Sequence, residues 1–96
     1  MNVHLVRLDP YNLNLGVLVP IVARRITEYA KQHMKELDPV LVTKSVMVPL
    51  WNQDKGVLVL AMVNPEGMVI GHLAAQMSSD SVNNWVTISQ TQADGA

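Results

Sequence analysis

The run Val57-Leu58-Val59-Leu60-Ala61-Met62-Val63 is apolar at every position and sits between two polar turns, Asn52 to Gly56 and Asn64-Pro65-Glu66-Gly67. Its length between turn signals is that of a strand, and a strand sends successive side chains to opposite faces. An amphipathic strand would alternate; this one offers apolar side chains to both sides and needs cover on both. Any fold for this chain must therefore put one face of the strand on its own core and account for the other.

The neighbouring sequence supplies the partner strand. In Asn64-Pro65-Glu66-Gly67, Pro65 presets the first central dihedral and Gly67 gives a permissive position. Met68 to Met77 follows at strand length, so residues 57 to 77 predict a β-hairpin. Near the N-terminus, Asn2 to Leu8 alternates, with His4, Val6 and Leu8 on one face and Val3 and Leu5 on the other, and Asp9-Pro10 closes it. Trp85 to Gln92 alternates again and predicts the last strand.

Between the first strand and the hairpin lie the helical signals. A helix is predicted from about Leu15 or Val17 to about Lys35, with Leu18, Val22, Ile26, Tyr29 and His33 on one face. Pro20 marks its start or a kink. Arg24, Arg25, Glu28, Lys31, Gln32 and Lys35 form the solvated face. Residues 39 to 48 carry two opposed signals. Asp38 as N-cap and Pro39 at the first helical position start a helix, whereas the β-branched content argues for a strand. The helix reading is preferred, broken by Pro49, with Trp51 opening a strand-like stretch.

The expected fold is a single α/β domain over residues 1–96. One long helix and a short second helix pack on a largely antiparallel sheet of about four strands. No later helix follows to cover the second sheet face. Burial of that face against something outside the monomer is therefore expected, in a homo-oligomer or a larger protein assembly.

Composition narrows the function classes. The chain is 49% hydrophobic and 16% charged, too apolar for a disordered segment and short of polar cover for a small domain. Its formal charge of -1 predicts no nucleic-acid partner. With no cysteine, thiolate metal sites and catalytic thiols are excluded. The N-terminus has no signal-peptide pattern, and the longest apolar run, Gly56 to Val63, is too short to span a bilayer. No Phe is present and six Met are, so branched aliphatics and thioethers fill the core.

Candidate chemistry is sparse. His4, His33 and His72 have no metal-ligand spacing, and no metal site is expected. His72, inside a strand, reads as a packed or edge residue rather than a general base. Ser78, Ser79 and Ser81 lack a nucleophile-elbow pattern and read as loop residues. Trp51 and Trp85, two of the chain's few aromatics, each sit beside a turn at a strand start; they are core anchors or partner-binding residues.

Val19-Pro20-Ile21-Val22, Pro49-Leu50-Trp51, Val57 to Val63, Met68-Val69-Ile70-Gly71-His72-Leu73 and Trp85 to Gln92 together resemble the first half of a GNAT-type N-acetyltransferase fold. The likeness is to the divergent GNAT-like proteins that tailed bacteriophages encode. That resemblance implies acetyl-CoA held on a Gln/Arg-x-x-Gly-x-Gly/Ala loop at a helix start. Here only Gln92-Ala93-Asp94-Gly95-Ala96 matches, so Gln92 and Gly95 are the cofactor-binding candidates, and Asp94 adds negative charge where pyrophosphate would lie. The expectation is a non-catalytic assembly protein without cofactor, in a virion or the cytoplasm of an infected bacterial host. The alternatives are an acetyl-CoA-dependent acetyltransferase completed by a second chain, and a small inhibitor of a host protein.

Overall fold

The computed structural model describes residues 3–77 and 86–94. Along the chain these form β1 (His4–Arg7), α1 (Leu18–His33), α2 (Pro39–Trp51), β2 (Val57–Val63), β3 (Val69–Met77) and β4 (Val86–Ala93). The four strands make one antiparallel sheet in the order β1-β2-β3-β4, each paired with its sequence neighbour. This is the expected α/β class, two helices on an antiparallel sheet.

The hairpin forms as its turn dictates. Asn64 accepts from Gly67 N–H at its carbonyl (2.9 Å) and from Met68 N–H at its side chain (2.8 Å). Gly67 takes φ +81°, a region that L side chains avoid. Strand β1 then adds to the open side of β2, with Val6 opposite Ala61 and Arg7 opposite Leu60.

Both helices pack on the same face. Val57, Val59 and Ala61 of β2 and Ala74 of β3 join Val22 and Ile26 of α1 and Val46, Met47 and Leu50 of α2 in one core. The buried line of α1 is Val19, Val22, Ile26 and Ala30. It is turned slightly from the expected line, leaving Tyr29 half-buried and His33 exposed. The small Ala30 lets α1 lie close to the sheet, where the Gln90 side chain reaches the Ile26 carbonyl at 3.2 Å. Thr27 and Thr43 join the two helices through their hydroxyls at 2.6 Å.

The prolines show why propensity alone misplaces an end. Pro20 is the third residue of α1, where no N–H has an intrahelical acceptor. Asp38 caps α2 by accepting from Val40 N–H (2.9 Å), with Pro39 at the first position. Pro49, however, does not break α2, which runs on to Trp51. A proline there frees the carbonyl four residues back, and the Gln76 side chain of β3 donates to that Ser45 carbonyl at 3.1 Å. Trp51 thus ends a helix rather than opening a strand.

Gly71 lies opposite Ala93 in the β3–β4 ladder and opposite Met62 in the β2–β3 ladder. A Cβ there would stand 2.5 Å from the Gln92 carbonyl oxygen and 2.6 Å from Met62 Sδ. Gly71→Ala is expected to destabilise the chain by about 1–3 kcal/mol through overpacking, seen as a lower urea midpoint.

Candidate functional site

Among the described residues no helix lies on the second face of the sheet. Register and alternation place Leu5 and Arg7 of β1, Leu58, Leu60 and Met62 of β2, Leu73, Ala75 and Met77 of β3, and Ile88 and Thr91 of β4 on this side. Leu60 and Leu73 are direct cross-strand partners near its middle, both half-buried. At the margins Leu5 is 63% and Ile88 59% exposed. Arg7, on the short edge strand β1, is the one charged side chain that the register of the described strands puts there.

The molecule measures 42 × 30 × 22 Å, and its thin dimension is one helix layer on one sheet. A third layer would make the plate an ordinary domain.

On the helix side, β4 contributes a polar pin. A strictly alternating strand would put Ile88 and Gln90 on one face. The pairing steps from Ala75↔Ile88 to Ala74↔Gln90, so one extra residue is inserted and the two side chains point to opposite sides. Gln90 is thereby buried to 1% exposure beneath α1. Its amide N–H donates to the Ile26 carbonyl, which turns its oxygen toward His72 Nε2 at 2.8 Å. His72 Nε2 must then be the donor, and the ring is the neutral Nε2–H tautomer.

His72 is fully buried, edge-on to Tyr29 at a 5.9 Å centroid distance, and its Nδ1 has no hydrogen-bond partner among the described residues. Burial holds its pKa below the ordinary 6.5; the Gln90 bond opposes this, Arg25 reinforces it, and Asp94 opposes it weakly. Arg25 leaves the solvated face expected of it and makes a bidentate pair with Asp94, at 2.8 and 3.1 Å. That guanidinium holds the Asp94 carboxyl below its usual range.

The remaining candidates disperse. Trp51, 45% exposed, lies at the end of α2 in the helix layer, away from the uncovered strands. Tyr11 meets it edge-on at 5.6 Å and donates its hydroxyl to the Trp51 carbonyl (2.6 Å), pinning the β1–α1 connection. Gln92 is half-buried in β4 and lines a shallow cleft with Arg24, Arg25, Glu28 and Asp94. The charges in that cleft balance, and Arg25 is already engaged by Asp94. Trp85, Gly95 and the serines Ser78, Ser79 and Ser81 lie outside the described residues. Among the described residues no group of three or more His, Asp or Glu is placed to hold a metal, and no helix is long and apolar enough to cross a membrane.

The Arg25–Asp94 and His72–Gln90 pairs escaped sequence reading, because neither is local and the inserted residue in β4 hides the second. No family model, no curated protein and no solved structure matches this chain.

Buried neutral His72 makes stability fall on the acid side. The unfolded chain binds this proton near pH 6.5, and the folded chain only at lower pH. The contribution is complete above 6.5 and is lost as pH drops below it. The urea midpoint is expected to fall between about pH 7 and pH 5, with a shallower slope in His72→Gln. Loss of the Arg25–Asp94 pair sets in lower, below the ordinary Asp value of 3.8.

Proposed function

We propose that this protein is a non-catalytic assembly protein whose uncovered sheet face packs against the same face of a second copy. The observation that carries this reading is the apolar face left bare by two helices that both lie on the opposite side. A second copy suits it on two counts. Self-pairing sets almost no charge against like charge, since Arg7 stands at the periphery. Two sheets of the same twist pack face to face with strands nearly aligned. The resemblance to phage-encoded GNAT-like proteins supplies the setting, a virion or an infected host cell, and no cofactor is needed for the role.

Molar mass by light scattering across a concentration series tests the reading. The wild-type chain is expected to be a dimer or larger at micromolar concentration. Leu60→Lys and Leu73→Lys, each placing a charge at the centre of the face, are expected to lower that mass while keeping the circular dichroism of the folded chain. A wild-type monomer at every concentration, or masses that both lysine variants leave unchanged, overturns it.

A further inference from the structure

The two edges of the sheet are built differently. An edge strand exposes a row of unpaired N–H and C=O groups, and chains protect such edges with short strands, charges or proline. Edge β1 has these features: it spans His4–Arg7, carries Arg7 and leads into Asp9-Pro10. Edge β4 is 8 residues long, Val-Thr-Ile-Ser-Gln-Thr-Gln-Ala, with no charge, proline or glycine. Among the described residues no strand pairs with its outer side.

The phase of the β3–β4 ladder tells which groups that edge offers. Asp94 N–H donates to the Ile70 carbonyl at 2.7 Å, so Asp94 faces β3. Antiparallel ladders alternate, which turns Gln92 and Gln90 toward β3 and the backbone N–H and C=O of Thr91 and Ala93 outward. The inserted residue near Ser89 shifts the register of the strand's first half and leaves the second half in regular pairing.

We infer that the outer edge of β4 pairs antiparallel with β4 of a second copy about a two-fold axis near Thr91, joining two sheets edge to edge. Thr91 and its symmetry mate exchange both backbone hydrogen bonds. In that register Asp94 of one copy lies across from Ile88 of the other, so no like charges meet. An uncharged strand is complementary to itself in this arrangement, and one edge serves both copies. The axis stands perpendicular to the sheet, so the two uncovered apolar faces become one continuous face. Edge pairing does not depend on the face-to-face reading; the two together give a tetramer of two stacked, joined sheets.

Two substitutions separate the interfaces. Thr91→Pro removes an outward N–H that the β3–β4 ladder does not use, and proline is tolerated at such a position; on the uncovered face it only exchanges one small uncharged side chain for another at the margin. Leu60→Lys acts on the face alone. The expected masses are a tetramer for wild type, a dimer for either variant and a monomer for the double variant. A Thr91→Pro chain with wild-type mass, or a Leu60→Lys dimer that Thr91→Pro does not split, overturns edge pairing. A mass unmoved by Leu60→Lys overturns the face reading instead, and a wild-type monomer overturns both. If Thr91→Pro loses the folded circular dichroism signal, Ala93→Pro, whose N–H also points outward, takes its place with the same expected masses.

Discussion

The architecture rests on cover being supplied to one side only of a strand that is apolar on both. Val57, Val59 and Ala61 meet the helices, while Leu58, Leu60 and Met62 of the same strand are half-buried among their cross-strand neighbours and meet no helix in the chain's described part. Burial of apolar area is the main favourable term in folding, and part of what β2 offers is left unused within the described monomer. Small side chains at Ala61 and Ala74 bring the helix layer close to the sheet, so the folded half of the core is thin but tightly closed.

Polar contacts then fix the helix layer at particular points. Gln76 satisfies the Ser45 carbonyl that Pro49 leaves free, Gln90 ties the Ile26 carbonyl to His72, and Arg25 clasps Asp94 at the end of β4. Each joins a helix to β3 or to β4 and the residue just after it. Of these only the Gln90–His72 contact is buried, where an unpaired polar group is costly, so it above all selects one docking of the helices over neighbouring ones, while the other two hold exposed margins. With the helix side held this way, the opposite face is a preformed surface that needs no rearrangement to meet a partner. The same logic extends to the β4 edge, where backbone groups rather than side chains are left over.

The hairpin, the antiparallel sheet, the α1 span to within a turn and the Asp38-Pro39 start of α2 were legible in the sequence. Each is governed by local chemistry: a turn with glycine at positive φ, apolar periodicity, a capping carboxylate. The end of α2 was not. A proline's local effect is to stop a helix, and it was overruled by a glutamine 27 positions later in the chain. The site was legible only as a need. The doubly apolar run announced that something must cover the strand, while the candidate residues Trp51 and Gln92 turned out to stand in the helix layer and beneath it.

What the sequence by itself determined is the set of elements and the surplus of apolar surface, because both follow from the order of side chains along a strand or helix. Only the tertiary structure decided which face is bare, since helices of either amphipathic kind can pack on either side of a sheet until particular contacts choose. It also decided that Gln90 is buried and Ile88 exposed, because a single inserted residue reverses every side chain beyond it. That reversal depends on how β4 registers with β3, a relation between distant segments that no local pattern carries.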